Sequence, residues 1–270
     1  HPAPLEHHGQ RYLYTLTMEP HRKHWLLGLD VVTAKPRDVM QTADYALKTR
    51  QPLRTRMRYD LESAIEYRMT GLSDAERRAA LEIPRGHHPR ARELGAQWRA
   101  ETRQEDAIIA RALDFYRAGK FVYSLTPPTL PGDTVDDFLF TTHEGFCEHF
   151  ASSFVMLMRA AGIPARVVTG YQGGEYNEVG EYMVVRQRDA HAWAEVYLDG
   201  RGWARVDPTA TVAPNRVSLG FADANPRGAP GTGFARDALS GRVWTRLRDS
   251  FDAITYGWNQ WVLGYTTAQQ

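Results

Sequence analysis

The stretch from Cys147 to Met158 constrains this chain more than any other. Cys147, Phe150, Ala151, Phe154, Val155 and Met158 recur there at helical spacing. One stripe of such a helix must face a core, so the chain is committed to packing other elements against it. Gly145, two residues earlier, is read as the point where the chain turns sharply into the helix. Cys147 is the only cysteine in 270 residues, and it stands at the helix start. A thiol in the first helical turn meets the partial positive charge of the helix N-terminus, which favours the nucleophilic thiolate. Taken alone, the residue is more readily explained as a small buried hydrophobe. The downstream sequence changes that balance.

Asp189-Ala190-His191-Ala192-Trp193-Ala194-Glu195-Val196-Tyr197-Leu198 reads as a strand, with small or apolar residues at 192, 194, 196 and 198. Asp199-Gly200-Arg201-Gly202 is a hairpin-type turn, and Trp203-Ala204-Arg205-Val206-Asp207 is the returning strand, stopped by Pro208. His191 therefore opens one strand and Asp207 closes its neighbour. A thiolate, an imidazole and a carboxylate so arranged can divide the labour of acyl transfer: attack on a carbonyl, proton movement, and control of the imidazole tautomer. Strand parity adds a condition. Both residues are odd-numbered, so they share a face only if the connection has odd length, with Leu198 opposite Gly202. The commoner two-residue turn would put them on opposite faces unless a bulge intervened.

These motifs carry a resemblance. Gly-Phe-Cys-Glu-His-Phe-Ala at 145–151, Arg159-Ala160-Ala161-Gly162-Ile163-Pro164-Ala165-Arg166, Val167-Val168-Thr169-Gly170-Tyr171, His191-Ala192-Trp193 and Gly202-Trp203 through Asp207-Pro208-Thr209 are similar to the transglutaminase-like superfamily. More narrowly, they resemble the periplasmic domain of multi-spanning bacterial inner-membrane proteins known as protein-glutamine gamma-glutamyltransferases. The strong match covers roughly residues 121–212. The resemblance implies a papain-like α+β core and a catalytic Cys147-His191-Asp207 triad. It also implies a peptide or protein substrate bearing a glutamine-type carboxamide, an amine acceptor, and a periplasmic location in a membrane-anchored protein. Cell-envelope peptides are a further substrate class in keeping with it.

Around this region the chain divides. Residues 10–70 are rich in segments that alternate apolar and polar side chains between turn residues, as at Tyr12, Tyr14 and Leu16, and residues 1–85 read as an accessory β-rich domain. Ser73-Asp74-Ala75-Glu76 is a capping-box pattern opening a short helix before Pro84, and Arg85 to Pro89 is a linker. Residues 90–215 form the expected catalytic core. In it Thr102-Arg103-Gln104-Glu105 is read as a second capping box, and Ile108, Ile109, Ala112, Leu113 and Tyr116 as a buried stripe. Residues 216–270 are expected to be a loop and then a helix from about 237 to 262, its aromatic end leading toward a membrane segment.

Composition excludes several classes. A net charge of +1 gives no general argument for nucleic acid or an anionic membrane as partner. One cysteine excludes an intramolecular disulfide and any multi-cysteine metal site. The chain begins His1-Pro2-Ala3, with no signal peptide and no apolar run of about 18 residues, and reads as a soluble piece of a longer protein. Asp133, Asp136 and Asp137 lack the spacing of a calcium loop and read as a helix start, so no metal or cofactor is expected. His149, two residues after Cys147, points to another helix face and is a poor base for it; His143 is the stronger rival to His191, and Asp189 to Asp207. For the developing oxyanion, the Cys147 backbone N–H is one natural donor and Tyr123 a candidate second. The arginines at 50, 54, 56 and 58 and those at 85, 90, 92, 99 and 103 could meet an acidic polymer but read more readily as a solvated face. Two rival functions stay open: a cysteine peptidase or amidase, and a non-catalytic binding module with the same fold.

Overall fold

The computed structural model describes residues 5–130 and 132–218. They form two compact units, one of residues 5–170 with 192–212, the other of 171–191 with 213–218. The expected helix from 237 to 262 lies outside the described residues.

The first unit opens with a β-rich region. Strands β1 (Leu5–Met18), β2 (Trp25–Leu26), β3 (Val31–Ala34), β4 (Met40–Gln41), β5 (Leu47–Lys48) and β6 (Met57–Met69) make two three-stranded sheets, ordered β1-β6-β3 and β2-β5-β4. Alternation places Tyr59 and Leu61 of β6 inside with Leu26, Val32, Val39, Leu47 and Leu53, a core of their own. The several antiparallel strands expected here are present, the two-residue ones being too short to have their bounds read from alternation.

Helices follow: α1 (Asp74–Leu81), α2 (Pro89–Glu101) and α3 (Glu105–Ala118). The Ser73 box is present as expected, with Glu76 N–H donating to Ser73 Oγ and Ser73 N–H to Glu76 Oε2. The Thr102 box is not. Thr102 closes α2, its Oγ1 accepts from Gln104 N–H, and α3 begins only after Gln104. One hydroxyl cannot both hold that turn and cap a helix starting at Arg103. The acidic residues expected to start a helix do so: Asp133 caps α4 (Thr134–Asp137). They also serve a neighbour. Asp136 accepts from Arg90 and Ala91 N–H at 2.9 Å each, and Asp133 accepts from His88. These carboxylates thus sit on the positive end of α2.

Strand β7 (Val122–Tyr123) pairs in parallel with β8 (Glu144–Gly145) across a π-helical turn at Phe138–Thr142, and α5 (Cys147–Ala160) leaves directly from β8. The predicted stripe of α5 is buried, and Ser153, Met156 and Leu157 are buried as well, so the helix is enclosed on nearly every side. Tyr116 of α3 donates or accepts a 2.8 Å hydrogen bond with Ser153 in this interior, and burial holds its hydroxyl pKa far above the ordinary value. Strands β9 (Ala165–Tyr171), β12 (Ala190–Leu198) and β13 (Gly202–Val206) form the sheet that α5 feeds, with β12 central. In the second unit, β10 (Glu175–Asn177) and β11 (Tyr182–Val184) pair as a hairpin, and α6 (Pro214–Ser218) follows. Among the described residues no helix is long and apolar enough to cross a membrane.

The β-rich region grips the β12–β13 turn. Gly202 has φ +84°, and a Cβ there would stand 2.3 Å from the Met69 carbonyl oxygen at the end of β6. Arg68 donates to the Gly200 carbonyl at 2.8 Å, and the Tyr197 hydroxyl donates to the Thr70 carbonyl at 2.6 Å.

Candidate active site

Cys147 is the first residue of α5, as its sequence position predicts. It is 8% exposed and clusters with Ala151 and Ala192, with Tyr123 and Phe146 packed against them. The parallel pairing of β7 with β8 sets Tyr123 opposite Gly145, two residues from the thiol. Tyr123, singled out as an oxyanion candidate, therefore belongs to the same cluster as Cys147.

The reason for Gly145 differs from the expected one. Its backbone is not in the left-handed region. Instead, an added Cβ would lie 2.7 Å from His149 Cβ and 2.9 Å from the Phe138 ring. Close approach, not a sharp turn, requires glycine there. His149 is the residue that sequence reasoning undervalued. Phe146 N–H donates to its Nδ1 at 3.3 Å, and its ring lies 4.5 Å from that of Phe146 and 5.5 Å from that of Phe138. It secures the first turn on which the thiol sits. Burial pushes its pKa below the ordinary 6.5, opposed by Glu148, so the neutral ring that accepts this hydrogen bond is favoured. The signal was its place three residues after the cap, where a capping-box side chain belongs. His143 is engaged elsewhere: its Nε2 lies 2.9 Å from the Leu139 carbonyl, and its ring stacks edgewise on Phe121 at 4.6 Å.

The hairpin has the odd-length connection that the triad demanded. Leu198 faces Gly202, and the register continues through Val196 opposite Ala204 to Ala194 opposite Val206. Odd-numbered residues of β13 therefore share a face with odd-numbered residues of β12. Asp207 follows β13 directly. Its Oδ1 accepts from Thr209 N–H at 3.1 Å, capping a 3₁₀ turn at Pro208–Thr211 that packs on α3 and α5. The turn brings the carboxylate's own segment against the helix that begins with Cys147.

His191 belongs to the second unit, is the second residue of β12, and is 3% exposed. A 3₁₀ turn at Gln187–Asp189 delivers it. Asp189, its alternative partner, is 1% exposed; its Oδ2 accepts from Arg186 N–H at 2.8 Å, and its carbonyl accepts from Gln172 N–H at 2.9 Å. The Ala190 carbonyl accepts from Arg216 at 3.1 Å. These bonds hold the carbonyls of residues 189 and 190, where the strand starts.

Residues 94–208 match the model of the transglutaminase-like superfamily, and residues 1–70 that of the TgpA N-terminal domain. A protein-glutamine gamma-glutamyltransferase of Pseudomonas aeruginosa is 39% identical over 97% of this chain, which spans 40% of that protein's length. An uncharacterized Bacillus subtilis protein, YebA, is 43% identical over 36% of the chain. Among solved structures, the periplasmic domain of TgpA from Pseudomonas aeruginosa superposes with a TM-score of 0.77 at 40% identity, covering 80% of this chain and 75% of that one. Its ethylmercury-bound form gives 0.78 at 39% identity, over 80% and 78%.

Proposed function

The chain belongs to the transglutaminase-like superfamily, and from that membership we propose that it is a thiol acyltransferase acting on glutamine-type carboxamides. Cys147 Sγ attacks the carboxamide carbon, and a C–S bond forms as the carbonyl oxygen gains charge. The C–N bond then breaks and ammonia leaves with the proton that the His191 imidazole took from the Cys147 thiol. A primary amine attacks the thioester, passes its proton to the imidazole, and restores the thiolate as the C–S bond breaks. Asp207 holds the imidazole tautomer and stabilises its charged form. The Cys147 backbone N–H, which at the first position of α5 has no acceptor within the helix, and Tyr123 are the proposed oxyanion donors.

One observation carries this reading: Cys147 opens α5 inside a cluster that includes Ala192, the residue following His191, and Tyr123. The odd-length connection between β12 and β13 supports it, because odd-numbered positions of the two strands then share a face. We read residues 1–85 as an accessory domain and 90–215 as the catalytic core, with the whole protein anchored in the inner membrane and this part in the periplasm.

Variants read by steady-state amine incorporation into a glutamine peptide test the assignment. Asp207→Asn keeps an acceptor for Thr209 N–H, so the fold should hold, while kcat should fall by about 10⁴-fold as the tautomer is lost. Tyr123→Phe should lower kcat by roughly 10²-fold. Wild-type turnover in Asp207→Asn, with loss in Asp189→Asn, would move the role to Asp189. Deamidation without incorporation would favour the amidase reading.

A further inference from the structure

The small sheet β2-β5-β4 has two unlike faces. Leu26 and Leu47 pair across it and are buried in the N-terminal core. On the other face Trp25 and Met40 each pair with Lys48, so the three side chains form a row across the sheet. Trp25 is 49% exposed and Met40 44% exposed. Lys48 Nζ lies 3.9 Å from the Trp25 ring centroid. Lys23 and Arg50 join this row in lining an open groove of about 300 Å³, whose lining is mostly apolar and includes no carboxylate. Among the described residues none of the three cations has an ion-pair partner.

A small-molecule site encloses most of its ligand, and this groove encloses little. Its chemistry suits a surface. An exposed indole settles at the level of lipid headgroups, lysine stems lie along apolar material with their charges outward, and cations are drawn to anionic lipid. The net charge of +1 supplies no general attraction, so the effect has to be local. We propose that this face rests on an anionic phospholipid surface, with Trp25 and Met40 entering the headgroup layer and Lys23, Lys48 and Arg50 meeting phosphates. The docking uses no residue of the Cys147 cluster, so it stands or falls separately from acyl transfer.

The test is co-sedimentation of the full chain with phosphatidylcholine vesicles, with and without phosphatidylglycerol. Binding should require phosphatidylglycerol and weaken with added salt. The double variant Lys23→Gln/Arg50→Gln should bind at least about tenfold more weakly, since each cation contributes about fivefold. Trp25→Ala, an exposed position, should also lose binding, while Arg117→Gln on the exposed side of α3 should not. Equal binding to pure phosphatidylcholine, or undiminished binding by the variants, would overturn the proposal. So would capture by polyglutamate with vesicles ignored, or self-association that disappears in Trp25→Ala.

Discussion

Helices α1 and α5 begin with the same device in two settings. At α1 the residue three places after the cap, Glu76, reaches back to Ser73 N–H, and Ser73 Oγ returns the bond, all in contact with water. At α5 the corresponding residue is His149, which reaches back to Phe146 N–H, and Phe146 has no side-chain acceptor to offer in return. What replaces the missing bond is packing: the imidazole is wedged against Phe146, Phe138 and the bare Cα of Gly145. At α1 the cap concerns helix stability alone. At α5 it also fixes the turn on which Cys147 stands, so a structural bond and the proposed chemistry share one support.

Substitution at the first helical residue should separate the two helices most widely. Cys147→Ala should abolish amine incorporation, a loss of at least about 10⁴-fold, with the fold intact by circular dichroism. Asp74→Ala, at the matching place in α1, should leave activity unchanged and cost only about 0.3–1 kcal/mol of stability through the helix dipole. Next in size is His149→Ala. It should lower activity by roughly tenfold while costing about 1 kcal/mol, and His149→Gln should recover both, since glutamine can accept the same N–H. Activity unaffected by His149→Ala would reduce the α5 cap to the status of the α1 cap. Ser73→Ala should cost about 1 kcal/mol in denaturant melts and nothing in turnover.

Acid distinguishes the caps by their pH windows. The His149 pKa is lowered, chiefly by burial, so its contribution is complete above the ordinary 6.5 and is lost as pH falls through the depressed value. The Glu76 pKa is lowered by its hydrogen bond from the Ser73 hydroxyl, so its contribution is complete above the ordinary 4.5 and declines only below that. Comparing wild type with His149→Gln should therefore show a stability difference that shrinks or reverses on acidification below about pH 6.5. A pH-independent difference would separate His149 from the cap.

What was readable in the sequence follows the range of the forces involved. The α5 stripe was plain because six apolar positions repeat one period, and burial of those six was the outcome. The hairpin register was constrained because a single-residue slip would turn every side chain over. The Ser73 box was legible since both partners lie within four residues. Asp136 capping α2 was not, because donor and acceptor are 45 residues apart and local patterns carry no trace of the pairing. Thr102 misled because one hydroxyl fits two local geometries, and the end of α2 claimed it. His149 was passed over because phenylalanine at the cap hides the usual box, although the spacing was there. Cys147 and Tyr123 share a cluster that the short parallel pairing of β7 with β8 creates, and strands of two residues leave no periodicity to read.

The most direct test of the account is intact-protein mass spectrometry of the chain mixed with a glutamine peptide and quenched in acid, with and without a primary amine. The account predicts an adduct on Cys147 equal to the peptide minus ammonia, absent in Cys147→Ala, that disappears when the amine is added as the peptide gains it. An unmodified Cys147 at every time point, with the peptide unchanged, would contradict it.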